Sequence, residues 1–211
     1  MLMISTTDLL LYMPAVLALN LTPGNDMFFV LSSGLNGGPR AGVAASLGIA
    51  LGSLIHIILA AIGLAALVLA HPLLLDLLRW GGCAYLLLLA YSLFQARHEP
   101  LESTTQTSGN SASDDAMTAF RQAVVVNLLN PKIIVFVLAF IPQFVRVENG
   151  SPVLQFLILG ALLNIAGTPI NATVGYFAGQ LKNRQLGGPW LIWLRCISAA
   201  FFVFIAVRII S

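Results

Sequence analysis

Two apolar segments of the chain are each interrupted by a proline with an ionisable residue beside it. Pro23 precedes Asp26 in ALNLTPGNDMFFVL, and Pro131 precedes Lys132 in VVNLLNPKIIVFVL. Proline lacks an amide donor and disfavours helical conformation in the residue before it, so a helix is expected to break at each position. In hydrocarbon, a break is tolerated only where protein or water satisfies the freed backbone groups. Paired breaks with opposite charges therefore predict a central polar site of the kind that transporters use.

The opposite charges at the two breaks could bind each other or a zwitterionic ligand. A lysine without a partner near the middle of a bilayer costs about 2.5 to 3.5 kcal/mol, so a salt bridge between Asp26 and Lys132 is one expectation. Alternatively, an amino acid could place its carboxylate at Lys132 and its ammonium at Asp26, helped by the partial positive charge of exposed helix N-termini at Gly24 and Pro131. The two hypotheses are compatible if the ligand interrupts the ion pair. The residues predicted at this site are Thr22, Pro23, Gly24, Asn25, Asp26, Asn130, Pro131 and Lys132.

The composition of the chain is that of a membrane protein. Of 211 residues, 58% are hydrophobic and only 9% are charged, whereas a soluble domain has about 25% charged residues. Because a helix needs about 20 apolar residues to cross a bilayer, the sequence predicts an all-α polytopic protein with six transmembrane helices. The predicted segments are Leu9 to Ser32, Ala41 to Ala70, Leu73 to Gln95, Phe120 to Val145, Val153 to Gln180 and Pro189 to Ile210.

The two halves of the chain resemble each other. Asn20-Leu21-Thr22-Pro23 aligns with Leu128-Leu129-Asn130-Pro131, and the stretch from Leu75 aligns with the stretch from Leu191. Three helices per repeat is an odd number, so the second half must enter the membrane from the opposite side, which predicts an inverted repeat. Residues 1–211 are thus interpreted as one transmembrane domain, with a first repeat at 1–96, a polar linker at 97–118 and a second repeat at 119–211, and with helices 1 and 4 broken at Pro23 and Pro131.

Small and polar residues recur at helical spacing in the second and fifth segments. The stripes consist of Ala45, Gly48, Gly52, His56, Ala60 and Gly63, and of Gly160, Asn164, Thr168, Asn171 and Gly175. For the glycines, including the pairs Gly48/Gly52 and Gly175/Gly179, close helix packing is the favoured interpretation. For His56, Asn164, Thr168 and Asn171, packing and lining of a substrate pathway both stay open, because amides and imidazoles in lipid need a partner or water.

Several classes of function are disfavoured by the sequence. A net charge of +2 is too small to indicate a nucleic-acid partner. The three histidines, His56, His71 and His98, are dispersed without the spacing of a metal site or of a nucleophile and base. Cys83 and Cys196 are interpreted as small packing residues in apolar segments. We therefore expect no catalytic residues, no metal and no cofactor, and a protein that is not an enzyme.

The distribution of basic residues gives a weak orientation. One side of the membrane would carry Arg40, Arg97, Arg121, Lys182 and Arg184, and the other Arg79, Arg146 and Arg208. The positive-inside rule then places both termini outside the cytoplasm and the linker inside it. The N-terminus has no basic residue before its apolar run and is interpreted as a retained first helix.

Three motifs resemble the LysE/RhtB family of amino-acid exporters. They are TPGND at Thr22 to Asp26, GLNGGPRAGVAASLGIALGSLIH at Gly34 to His56, and NLLNPKIIVFVLAFIPQFV at Asn127 to Val145. The resemblance covers nearly the whole chain. Asn25 stands where the family commonly has a second proline, and Ser53 stands where many members have an aspartate that could serve in proton coupling or cation recognition.

The resemblance implies efflux of amino acids or close derivatives from the bacterial cytoplasm across the inner membrane, driven by an ion gradient. The breaks predict transport by alternating access. The expected partners are a small amino-acid substrate and the lipid bilayer, and small-residue faces would serve a homo-oligomer as well as a monomer. The alternative is a transporter or channel for inorganic cations that uses the same broken helices, which would give electrogenic flux without substrate exchange.

Overall fold

In a computed structural model, the described residues are 3–70 and 115–181, with scattered helical positions between 80 and 95 and at 200 and 203. All regular elements among them are helical. The α-helices are α1 (Thr6–Leu21), α2 (Asn25–Ala70), α3 (Asp115–Leu128), α4 (Pro131–Val135) and α5 (Pro152–Gln180); a π-helical turn (Phe136–Phe140) and two 3-10 turns (Ile141–Phe144 and Val147–Asn149) follow α4.

The described helices are long and apolar enough for a membrane protein. Asn25–Gly63 and Pro152–Gln180 each meet the length and composition of a membrane span, and the pair Ala116–Leu128 and Pro131–Phe144, bent by 52°, makes a third if it is one span. Large apolar side chains such as Leu10, Leu59 and Ile165 lie on the outer surface, as expected where lipid is the solvent. The predicted third and sixth segments and most of the linker lie outside the described residues.

The turn after the first predicted segment is shorter than expected. The segment was predicted to end at Ser32 and the next to begin at Ala41, but the chain is helical through this stretch except at Gly38, which has φ 82°. Glycine adopts this left-handed conformation without a steric penalty, and Pro39 suits the start of the following helix. The helix is interrupted at this single residue, and α2 consists of an arm at 25–37 and an arm at 39–70.

The other predicted boundaries differ in their accuracy. The segment Val153 to Gln180 is confirmed to within one residue, because α5 spans Pro152–Gln180. Ser151 caps the N-terminus of this helix by accepting a hydrogen bond from the Leu154 amide. The fourth segment was predicted to start at Phe120, after a linker ending at 118. In the structure α3 is helical from Asp115 onward, and the extent of the linker stays a prediction.

Glycines allow α2 to pack closely on α5 and α3. A Cβ on Gly42 would overlap the Gly175 carbonyl, and one on Gly179 would overlap the Pro39 backbone. Further along α2, a Cβ on Gly48 would overlap the Phe120 carbonyl of α3. The packing interpretation of these glycines is thus confirmed, and α2 is the central helix against which the other two described spans lie.

An aromatic cluster joins α1 to α5 and to the turns after α4. The Tyr12 hydroxyl donates to the Leu159 carbonyl over 2.7 Å. Its ring stacks on Phe140 with centroids 6.0 Å apart and meets Phe144 edge-on at 5.2 Å. Pro142 cannot donate an amide hydrogen bond, and it lies in the irregular stretch that begins with the π-helical turn at Phe136. The irregular turns place three phenylalanines, including Phe136, on the side that faces α1 and α5.

Candidate functional site

The helix that starts the chain stops at the first predicted break. The Thr22 amide still bonds to the Ala18 carbonyl over 2.9 Å, but Thr22 itself is extended, with ψ 118°. Pro23 follows without an amide hydrogen, and α2 begins at Asn25. The Thr22 carbonyl consequently lies outside the helical hydrogen-bond pattern. It accepts a 2.8 Å hydrogen bond from Nζ of Lys132, a residue 110 positions away.

The second interruption is built around Asn130. This residue is extended, with ψ 107°, and caps α4 by accepting a 3.0 Å hydrogen bond from the Lys132 amide at its Oδ1. Pro131 occupies the first helical position, where its missing amide hydrogen costs nothing. This hydrogen bond fixes the backbone at Lys132, and the side chain of Lys132 extends to the first interruption.

The two interruptions are joined by a second, reciprocal hydrogen bond. Asp26 lies in the first turn of α2, and its Oδ2 accepts a 3.0 Å hydrogen bond from Nδ2 of Asn127 in the last turn of α3. The first interruption thus supplies the Asp26 carboxylate and the Thr22 carbonyl, and the second supplies their partners, the Asn127 amide and the Lys132 ammonium. The expected salt bridge between Asp26 and Lys132 is wrong for this structure: in the described part of the chain, the two charged groups bind Asn127 and Thr22 instead. The carbonyl freed by Pro23 competes successfully for the ammonium group.

Three buried polar atoms at this junction have no hydrogen-bond partner among the described residues. They are Oδ1 of Asp26, Oδ1 of Asn127 and Nδ2 of Asn130. Asn127 is completely buried and Asn130 is 2% exposed. A buried polar atom left unpaired costs about 1 to 3 kcal/mol, and native structures contain few of them. Their concentration at the meeting point of two helix interruptions identifies the candidate site.

Neighbouring residues shape this site. Nε2 of His56 lies 3.3 Å from the Asn127 carbonyl oxygen. Gly52 lies one turn before His56 on the same helix, and a Cβ there would come within 2.8 Å of the Asn127 side chain. A Cβ on Gly24 would lie 3.4 Å from Nζ of Lys132. His56 and Gly24 therefore lie at the site, whereas Asn25 is exposed at the start of α2.

The polar stripe of α5 has a different environment. Nδ2 of Asn164 donates to the Ala50 carbonyl of α2 over 2.8 Å, and the Thr168 hydroxyl donates to the Asn164 carbonyl over the same distance. Asn171 is buried, with 9% of its surface exposed. The described hydrogen bonds of Asn164 and Thr168 serve the packing of α5 and its contact with α2. That these three residues line a pathway stays a prediction.

Asn127 is the site residue that sequence reasoning did not select. Asn127 is the first residue of the third motif, but the residues predicted at the site from that motif were Asn130, Pro131 and Lys132. Its signal is an amide within the apolar run VVVNLL, five residues before Lys132. An amide in a membrane helix requires a partner, and Asp26 is that partner here.

Comparisons with known proteins relate this chain to translocators and to amino-acid efflux proteins. The sequence profile of the LysE type translocators matches residues 17–211. The chain is 35% identical over 143 residues to a homoserine/homoserine lactone efflux protein of Salmonella typhimurium, covering 67% of this chain and 66% of that protein. It is 31% identical over 158 residues to a leucine efflux protein of Klebsiella pneumoniae, covering 74% and 72%. An uncharacterized membrane protein of Pseudomonas aeruginosa is 33% identical over 159 residues, covering 75% and 74%. No solved structure matches the chain.

Proposed function

This chain belongs to the LysE type translocator family, and we propose that it exports amino acids or close derivatives by alternating access. The family assignment confirms the resemblance drawn from the motifs, and the chain is a multi-pass membrane protein. Membership of a translocator family also favours a transporter over an enzyme. Two relatives are named for the efflux of homoserine or its lactone and of leucine. These compounds are small and carry an amino group, which supports an amino-acid substrate for this chain.

The observation that carries the proposal is the chemistry where the two helix interruptions meet. Lys132 uses one of its three N–H donors for the Thr22 carbonyl, so the other donors can bind a substrate carboxylate. Asp26 uses one oxygen for Asn127, and its other oxygen has no hydrogen-bond partner among the described residues, so it can bind an ammonium group. A small zwitterion placed between them would meet an opposite charge at each end.

The interruptions also suggest how the substrate crosses the membrane. The stretch 22–24 separates α1 from the first arm of α2, and 129–130 separates α3 from α4. Short non-helical stretches can absorb the changes in backbone angles that a rigid helix cannot. We propose that the helical arms on either side tilt in turn around the bound substrate, with an ion gradient driving the cycle. In this proposal the chain forms one domain of six helices in two inverted repeats, 1–96 and 119–211, joined by the linker 97–118.

The test of export is the identity of compounds released by intact cells. Bacteria producing the protein should accumulate one or a few amino acids outside the cell, relative to cells producing the Asp26→Asn variant at the same abundance. An uncoupler that collapses the proton gradient should reduce the release. Current across reconstituted membranes carried by an inorganic cation, with no amino acid released, would contradict the proposal and favour the cation transporter.

The proposed location is the bacterial inner membrane, with both termini outside the cytoplasm, as the distribution of basic residues favours. A reporter that is active only in the cytoplasm should work when inserted in the linker near Ser108 and should be inactive when fused after Ser211. The reverse pattern at equal expression would overturn this orientation.

A further inference from the structure

We propose that the aromatic cluster around Tyr12 is a gate, closed in this structure, on one side of the junction of the two helix interruptions. A polar face of the first arm of α2, at Ser32 and Asn36, lines an aqueous route to the other side. The inference rests on the proposed function and extends it to residues that lie outside the junction. Its basis is a difference between two stretches of the chain that the proposed repeat relates to each other.

Helix α5 orders the parts of the molecule by depth. From its start to its end, its contacts are with Tyr12 through Leu159, with Asn20 through Leu163, and with Gly34 through Gly175. Asn20 lies in the last turn of α1, beside the junction. The aromatic cluster and the first arm of α2 therefore lie on opposite sides of the junction.

The alignment of the two halves also pairs the stretches that leave the junction in these two directions. Continued without a gap from the paired prolines, it places the first arm of α2 on the turns that follow α4. The pairs are Phe28 with Phe136, Ser32 with Phe140, and Asn36 with Phe144. The stretch after α4 thus has phenylalanine at all three positions, whereas the arm of α2 has phenylalanine only at the position nearest the junction.

The paired positions differ in burial as well as in type. Phe136 and Phe140 are 1% and 2% exposed, and the ring centroids of Phe140 and Phe144 are 4.9 Å apart. Ser32 is half-buried and Asn36 is exposed, and Nδ2 of Asn36 donates to the Ser32 hydroxyl over 3.2 Å. Packed rings thus cover one direction from the junction, and polar side chains border the other.

This difference assigns the structure to one state of the transport cycle. Interiors packed at the density of a crystal do not admit a hydrated zwitterion, so the aromatic cluster blocks passage. Hydroxyl and amide groups in a membrane span need a partner or water, so the face at Ser32 and Asn36 is assigned to water. The site then opens toward the turn at Gly38. In the proposed orientation this is the cytoplasmic side, from which an exporter takes up its substrate.

The gate is held closed by few directional contacts. The Tyr12 hydroxyl ties the cluster to α5 through one hydrogen bond of 2.7 Å. The stretch that carries the phenylalanines is irregular, with a π-helical turn followed by a 3-10 turn, and π-helical turns are frequent at functional sites. Within it, Nε2 of Gln143 donates to the Ala139 carbonyl over 2.8 Å. Tyr12→Phe should therefore weaken closure while keeping the ring in place.

The experiment follows the reaction of single cysteines with a charged, membrane-impermeant methanethiosulfonate, using the full chain in lipid nanodiscs. The background is Cys83→Ser/Cys196→Ser. Only a thiolate reacts, and apolar surroundings suppress its formation. Ser32→Cys should therefore react at least about tenfold faster than Leu47→Cys, since Leu47 is 50% exposed on the outer surface of α2.

A matched pair of valines tests the gate. Val16 and Val30 are each 0% exposed and lie on opposite sides of the junction. Tyr12→Phe should raise the reaction rate of Val16→Cys about two- to tenfold, the effect of losing one hydrogen bond, and leave that of Val30→Cys unchanged. Phe140→Ala should raise the rate at Val16→Cys at least about tenfold. Phe177→Ala, on the outer surface of α5, should change neither rate.

The outcomes separate this inference from the proposed function. If Ser32→Cys were as unreactive as Leu47→Cys, the aqueous route would be wrong. An unchanged rate at Val16→Cys in both gate variants, or an equal rise at Val30→Cys, would show that the cluster serves only the core and would overturn the gate. Either result leaves amino-acid export intact, because export fails only if cells release no amino acid. If Phe140→Ala fails to fold, the two valines in the Tyr12→Phe variant decide.

Discussion

Replacing Lys132 with alanine is expected to lower export about 10- to 100-fold at equal abundance in the membrane, the effect of losing a charged hydrogen bond worth about 1.5 to 3 kcal/mol. The variant removes the donor to the Thr22 carbonyl and the proposed contact to the substrate carboxylate. It also leaves the negative charge of Asp26 without a nearby cation. The measurement is the initial rate of release of the exported amino acid, normalised to the amount of inserted protein.

A double variant separates the structural effect of Lys132 from its effect on transport. Removing one member of a buried pair of charges is strongly destabilising because the other stays uncompensated. Asp26→Asn combined with Lys132→Gln removes both charges at similar side-chain volume and should restore abundance but not export. Recovery of export in this variant would show that the charges serve only the fold.

Replacing Gly175 with valine is expected to remove most of the folded protein. A Cβ at this position would lie 2.7 Å from the Gly42 carbonyl carbon and 2.8 Å from the Val30 side chain, so α5 and both arms of α2 would have to separate. Extra carbon atoms in a packed interior usually cost about 1 to 3 kcal/mol, and here the contact is with backbone, which cannot change rotamer. The measurement is the thermal stability of detergent-solubilised protein, followed by size-exclusion chromatography.

The control for this variant is the same substitution at Gly63, where no described atom lies within 4 Å of the added Cβ. Gly63→Val should have the stability of the wild type. If Gly175→Val and Gly63→Val melted at the same temperature, close contact between α2 and α5 would not be a determinant of the fold.

The helical class and the packing glycines could be predicted because they depend on local patterns. Six apolar runs and few charges require membrane helices, and glycines spaced four residues apart on one helix face favour close packing. The chain is not helical at 22–24 or at 129–130, beside Pro23 and Pro131, but Pro14 and Pro169 lie inside helices, so a proline alone does not decide where a helix ends.

The partners of the charged groups could not be predicted in the same way. Which acceptor binds Nζ of Lys132 depends on where the freed Thr22 carbonyl lies relative to the Asp26 carboxylate, and this distance is set by the packing of distant segments. The role of Asn127 was missed for the same reason, because its partner lies 101 residues away. The first two segments were predicted too far apart because composition does not reveal that both helices continue up to one residue with a positive φ.

The central claim is that the junction of the two helix interruptions binds the transported amino acid. It is tested most directly by the affinity of the purified protein for that amino acid, measured for the wild type and for the double variant Asp26→Asn/Lys132→Gln. The matched control is Asp8→Asn/Arg146→Gln, which neutralises an ion pair 3.6 Å apart that does not involve the junction. We predict that the affinity falls at least about 100-fold in the first variant, since two charged contacts are lost, and is unchanged in the control. Wild-type affinity in a folded Asp26→Asn/Lys132→Gln protein would contradict the assignment of this site.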